Sequence, residues 1–308
     1  MSTGSSRGMA LLSVLWITGL LAVIAASFAS GTRTEARLAR NQIANAKAEA
    51  LADGGVYRAA QGLLELDPEQ AWRADGTVHE MRLGEGLVQI AIEDEDGKID
   101  LNAAPAPLLA GLFGVLGLSP DEARAMADRI VDYRDPDDEP EPQGAEDPDY
   151  FALGRAGGAA DRELISTGEL LNVLGMTRAL YERAQPYVTV YSGAEGVDPL
   201  RAPGPVLQAL PGMTPELVEQ LLNAGSDFDP FFDLEDETLL EQLELYFLPT
   251  RDAVFTIRAL ARSDDGGTFL RETVIELDGD PAQPFLVLDW RRGRGLPETA
   301  DEQPPALL

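Results

Sequence analysis

The chain has 308 residues, 44% of them apolar, so a sizeable core can form in one large domain or two ordinary ones. Its 53 acidic and 24 basic side chains leave a formal net charge of −29, which repels phosphate backbones and argues against nucleic acid as a partner while favouring cations. The absence of cysteine excludes disulfides, thiolate metal sites and cysteine nucleophiles.

Residues 1–8, MSTGSSRG, are short and polar and carry one basic residue, Arg7. Met9 to Ala29 then run for 21 residues without a charge, enough at ~1.5 Å per residue to cross a hydrocarbon core of ~30 Å. A cleavable secretory signal is the simpler alternative, with Ser27-Phe28-Ala29 as a small-x-small site, but its apolar region would be only ~7–15 residues. Flanking charge is at odds with export: Arg7 lies on one side and Arg33, Arg37 and Arg40 on the other, which by simple counting favours a cytoplasmic body. Beyond the span, good helix formers continue to about Glu65, with Leu38, Ala44, Leu51, Val56 and Leu63 as a loose apolar stripe. Met9 to Glu65 as one helix would be ~85 Å long, with Gly54-Gly55 as a point of kinking.

After Pro68 the pattern becomes alternating. Residues 77–101 predict two strands about Gly84-Glu85-Gly86, residues 253–277 a hairpin about Asp265-Gly266-Gly267, and Pro284 to Arg292 a further strand. The tail from Gly293 is polar and proline-containing, and predicts a loose segment. Between the strand regions, about 99–250, lies a helical stretch with an internal repeat: Leu116-Gly117-Leu118-Ser119, Leu174-Gly175-Met176-Thr177 and Pro211-Gly212-Met213-Thr214. Glycine suits the left-handed end of a first helix, and Ser or Thr the N-cap of the next. Pro120 and Glu122 complete an N1 proline and a capping-box spacing after Ser119. Such helix–hairpin–helix units can grip DNA phosphates, but Asp121, Glu122, Glu216 and Glu219 flank them and only Arg178 is suitably basic. They read as compact packing units.

Residues 132–149, DYRDPDDEPEPQGAEDPD, hold nine carboxylates against one arginine, Arg134, and Pro136, Pro140, Pro142 and Pro148 exclude a helix. Crowded carboxylates raise one another's pKa unless a cation neutralises them, and calcium takes ~6–8 oxygen ligands from such loops. A solvated acidic loop is the alternative. Neither this loop nor Asp94-Glu95-Asp96-Gly97 has EF-hand spacing. No nucleophile, zinc or phosphate-loop motif accompanies the single histidine, His79, so the expectation is a non-enzyme.

Arg7-Gly8-Met9-Ala10-Leu11-Leu12 resembles a type IV prepilin cleavage site, and Asp132-Tyr133-Arg134-Asp135-Pro136-Asp137 with Gly144-Ala145-Glu146-Asp147 is similar to a signature of the general secretion pathway protein K family, minor pseudopilins of type II secretion systems. Lys98 to Asn102, Pro186 to Tyr191, Leu210 to Pro215 and Trp290-Arg291-Arg292 match as well. The resemblance implies cleavage after Gly8 by a prepilin peptidase and methylation of Met9. Ser13 stands at the fifth mature position, where most pilins carry glutamate, which implies a tip subunit rather than a filament-body subunit. It also implies an inner-membrane anchor with a periplasmic body, I-type and J-type minor pseudopilins as partners, and calcium. The ligands it suggests are Asp135, Asp137, Glu146 and Asp147, then Asp138 and Asp149.

The expected fold is α+β: a pilin-like N-terminal helix packed on an antiparallel sheet, with an inserted all-α, helix–hairpin–helix (SAM-like) domain. Its parts are a leader (1–8), the transmembrane and amphipathic helix (9–65), a first β region (66–98), the helical insertion (99–250), a second β region (251–292) and a tail (293–308). The expected role is to cap the tip of the pseudopilus and help initiate its assembly. The alternatives are a minor pilin of a type IV pilus or a membrane-tethered DNA receptor.

Overall fold

The computed structural model describes residues 6–67, 70–223, 245–247, 253–280 and 282–293, and is α+β. The leader before Ser6, part of the insertion and the tail after Gly293 lie outside the described residues. Helix α1 (Ser6–Leu63) is one unbroken element of 58 residues. Within it, Leu11–Phe28 has a mean hydropathy of 2.3, buries nothing against the rest of the chain, and is long and apolar enough to cross a membrane.

The other half of α1 lies on an antiparallel sheet of order β1-β2-β5-β6-β7, made of β1 (His79–Arg82), β2 (Gly86–Asp94), β5 (Val254–Ser263), β6 (Thr268–Asp280) and β7 (Gln283–Arg292). The buried face of α1 is mainly alanine at helical spacing: Ala44, Ala48, Ala52, Val56, Ala59 and Ala60. Small side chains let the helix axis approach the sheet, and Val88, Ile90, Ile92, Ile257, Ala259 and Ile275 fill the space beneath. The expected stripe is therefore only partly right, since Leu38 is exposed.

Gly54-Gly55 does not interrupt the helix. A β-carbon on Gly55 would come within 2.8 Å of Val88 Cγ1 and 3.2 Å of Ala259 Cβ, and one on Gly54 within 2.8 Å of Leu83 Cδ2. The pair is there for close approach, not for bending. Ser263 Oγ donates to the Ala44 carbonyl (3.1 Å) where the helix first meets the sheet. The β5–β6 turn closes with Gly266 at φ +90°, as the Asp-Gly-Gly signal predicts.

Asp94 in β2 pairs with Phe255 in β5, so the chain leaves the sheet and returns at neighbouring strand ends. The insertion between them has its own core, in which Leu108, Leu112, Phe113, Ile130, Tyr150 and Leu170 are wholly or almost wholly buried. It contains α2 (Ala106–Val115), α3 (Pro120–Arg134), α4 (Asp147–Ala152), α5 (Arg178–Ala184), α6 (Gly204–Ala209) and α7 (Pro215–Asn223). It is not purely helical: β3 (Ile99–Asp100) and β4 (Val188–Thr189) form a short parallel pair. The buried Asp100 carboxylate makes this pairing possible by accepting from the N–H groups of Asn102 (2.7 Å), Ala103 (3.2 Å) and Gly193 (2.8 Å), which the chain turns leave without ladder partners.

A charged layer crosses the sheet and ties it to the turn that follows β2. Arg258 pairs with Glu93 (2.6 Å) and Glu272 (3.2 Å), Arg291 with Glu272 (2.5 Å), and Lys98 with Glu93 (3.3 Å) and Glu95 (2.5 Å). Thr256 Oγ1 donates to Glu95 (2.6 Å). Burial alone would push the Glu93 and Glu272 carboxyls up, but the adjacent cations outweigh it and hold both below the usual range.

Candidate functional site

Two features carry chemistry: the exposed apolar half of α1 and the acidic loop. Gly8 and Met9 both lie in the first turns of α1. Of the hairpins, the first is built as expected. Gly117 has φ +94°, Ser119 Oγ accepts from the Glu122 N–H (3.5 Å), and Glu122 in return accepts from the Ser119 N–H (3.0 Å). The third follows suit with Gly212 at φ +84° and Thr214 Oγ1 accepting from Leu217 N–H (3.3 Å). The second differs: a 3-10 turn, Thr167–Asn172, precedes Gly175 in place of a full helix.

Two of the arginines beside these turns reach back to main-chain carbonyls. Arg183 donates to the Leu116 carbonyl (2.6 Å) and Arg129 to the Leu174 carbonyl (3.3 Å), satisfying helix-end acceptors. Arg178 lies 3.7 Å from Glu182. These groups stabilise helix ends and partner acids, and the acidic flanks remain outside.

The acidic loop begins where α3 ends. Asp135 is extended and Pro136 cannot continue the helix. Asp132, in the last turn, is fully buried; it accepts from the N–H groups of Glu141 (3.0 Å) and Ala145 (2.6 Å) and so folds the loop back onto its helix. Gly144 lies against that carboxylate, where a β-carbon would overlap it. Asp137 turns onto the Glu139 N–H (2.9 Å), Asp149 onto the Glu146 N–H (3.2 Å) as part of the α4 cap, and Asp147 onto the Ala159 N–H (3.0 Å), with Gly158 packed on its carboxylate. Arg134 does not neutralise the loop, because its guanidinium points into the insertion and donates to the carbonyls of Leu101 (2.5 Å) and Ala104 (2.8 Å).

What remains is uncompensated negative charge. Asp135 Oδ1 and Glu146 Oε1 are buried without a hydrogen-bond partner. Glu146 is pushed up to about 7, first by burial and then by Asp132, Asp135, Asp161 and Asp138. Asp135 is raised by burial and by Asp137 and Asp132.

Six residues were expected to hold the ion. The structure brings Asp135 and Asp138 each within electrostatic range of Glu146, gives Asp147 and Asp149 to backbone N–H groups, and leaves Asp137 beside Asp135. Among the described residues, no three His, Asp or Glu side chains converge as a ready ligand set. Sequence reading missed Asp161, which lies beyond the loop at φ +49° and is raised by burial, Asp147 and Asp138. Its one signal was an acid after the flexible Gly157-Gly158 pair. Asp132, counted with the others, is a structural residue that organises the loop.

The family model for "Type II secretion system (T2SS), protein K" matches residues 87–193, which hold β2 from its second residue and the acidic loop. A type II secretion system protein K of Pseudomonas aeruginosa is 27% identical over 71% of this chain and 72% of its own length. Those of Klebsiella pneumoniae and Pectobacterium carotovorum are 29% and 31% identical, each over 59% of this chain, which spans 62% of their length. A chain in the crystal structure of the GspK–GspI–GspJ complex from enterotoxigenic Escherichia coli superposes with a TM-score of 0.60 at 21% identity, over 86% of this chain and 99% of that one; the likeness is one of fold. Over its sheet and insertion, this chain is similar to the type II secretion system protein K family.

Proposed function

We propose that the chain is the minor pseudopilin that caps the tip of a type II secretion pseudopilus and helps start its assembly. The observation that carries this reading is α1 itself: a continuous helix whose first part is bare and apolar and whose second part is buried under the sheet. A bare apolar stem in a membrane has van der Waals packing against similar stems as its route to association. The insertion between β2 and β5 adds a second cored body beside the pilin-like sheet, suited to blocking further subunits above it. The partners in this reading are I-type and J-type minor pseudopilins, as in the complex of the related E. coli protein. The anchor sits in the inner membrane with the body in the periplasm, after a prepilin peptidase has cut behind Gly8 and Met9 has been methylated. The role is assembly without catalysis and without nucleic acid.

Calcium belongs to the same reading. Asp135 Oδ1 and Glu146 Oε1, buried and unpartnered among further carboxylates, fit a hard cation with oxygen ligands. Asp138 and Asp161, whose charges reach Glu146, are additional donors, with Asp137, Asp147 and Asp149 as the remaining candidates. The cation would neutralise the loop and hold it on α3 and α4.

Complementation tests the function. In a strain lacking its own protein K, this chain with its matched secretion apparatus should restore export, and a variant with Gly8→Arg should not be processed or restore it. Full export by an unprocessed variant would overturn the reading.

A further inference from the structure

Arg33, Arg37 and Arg40 are left over from the sequence reading, where they oppose the exported orientation. They lie on the stretch of α1 between the apolar span, which ends at Phe28, and Ala44, the first buried residue among those described on the helix; residues 35–43 are exposed. Residues 30–43 of this neck hold those three arginines and one acid, Glu35, in a chain whose net charge is −29. At about 100° per residue, the arginines fall within about 60° of one another, and Glu35 lies on the opposite side. Arg37 and Arg40 are exposed and form no ion pair among the described residues; Arg40 Nε donates only to the Ala36 carbonyl of its own helix (3.1 Å).

Height above the membrane selects the partner. On an upright helix, Arg33 stands about 7 Å beyond the end of the span, Arg37 about 13 Å and Arg40 about 18 Å. The headgroup layer is about 5–8 Å deep, so Arg33 lies within it and Arg37 within a Debye length above it. We propose that the neck of α1 is a basic collar that binds anionic lipid headgroups and holds a strongly acidic body close to an acidic membrane surface. The collar needs the span to lie in a bilayer, whichever side the body occupies, and does not depend on the secretion reading. Each arginine within reach should favour an anionic over a zwitterionic neighbour about fivefold, in the order Arg33, Arg37, then Arg40.

The test uses the full chain in phosphatidylcholine vesicles with 30% phosphatidylglycerol. Because the chain has no cysteine, Asn41→Cys carries a single donor dye. Energy transfer is compared between acyl-labelled phosphatidylglycerol and acyl-labelled phosphatidylcholine. Transfer to both lipids reports insertion, and their ratio reports the collar. The expected ratio is well above 1 at 50 mM salt, falls toward 1 in 1 M salt, and falls to 1 in Arg33→Gln/Arg37→Gln/Arg40→Gln at either salt. Thermal melting of that variant should match the parent, since the described residues 35–43 of the neck are exposed. A ratio of 1 in the parent, or an unchanged ratio in the triple variant, overturns the proposal.

Discussion

Arg258→Met tests whether the charged layer ties the strands of the sheet together energetically. The guanidinium lies 2.6 Å from Glu93 and 3.2 Å from Glu272, and the three side chains are 16%, 23% and 9% exposed. Removing it leaves two mostly desolvated carboxylates facing one another. Breaking a buried pair in this way costs about 3–5 kcal/mol. Lys98 still reaches Glu93 and Arg291 still reaches Glu272, which sets the expectation at the lower end, about 3 kcal/mol. For a body of this size, that is a fall in Tm of about 6–12 °C. The assay is thermal unfolding of the membrane-free body, followed by circular dichroism.

Acid should erase the difference. Glu93 and Glu272 have folded pKa values below their unfolded ones, so their contribution is present above about pH 4.3 and lost as pH falls through the lowered folded values. The variant lacks Arg258's share of that contribution, and its deficit should shrink toward pH 3.5. Adding Glu272→Gln to Arg258→Met should recover part of the loss at pH 7.5. A Tm within about 2 °C of the parent at pH 7.5, or a deficit unchanged at pH 3.5, would refute the reasoning.

Gly55→Val should destabilise the body by about 1–3 kcal/mol, read as the urea midpoint, because its side chain meets Val88 and Ala259. Ser119→Ala removes the α3 cap and should cost about 1 kcal/mol in the same titration. Calcium at millimolar concentration should raise the Tm of the body and a chelator should lower it, while Glu146→Gln should blunt the response. Without calcium, the raised Glu146 value stabilises the fold below about pH 4.5, and that contribution is lost as pH rises through about 7; chelated protein should therefore melt lower at pH 8 than at pH 5.5 as far as this group is concerned.

Local chemistry was legible in the sequence. The Asp-Gly-Gly hairpin, the Ser119 cap with Pro120 and Glu122, and the left-handed hairpin glycines each depend on a few consecutive residues, and each was found where the pattern put it. Close approach was not legible. Gly54-Gly55 reads as a flexible point in isolation, and only the presence of Val88 and Ala259 above it makes the glycines packing residues. The alanine face of α1 gave a weak periodic signal for the same reason, since small side chains carry little hydropathy contrast.

The acidic loop divides along the same line. Its composition pointed to cations, but which carboxylates are satisfied depends on N–H groups brought from elsewhere. Asp132 is used by Glu141 and Ala145, Asp147 by Ala159, and Asp135 and Glu146 are the ones left with unpartnered oxygens. Asp161 joins them through a loop that no local pattern connects to residues 132–149. The Glu93–Arg258–Glu272–Arg291 layer is assembled from four strands and was likewise invisible in the linear sequence.

The most direct test of the central claim is the intact mass and amino-terminal sequence of the protein extracted from membranes of a cell with the matching secretion system. The account predicts a chain beginning at N-methylated Met9, with Leu11–Phe28 retained as the stem. A chain beginning near Ser30 would mean that the apolar segment had been removed as an ordinary signal, and would contradict an assembly subunit that works through that stem.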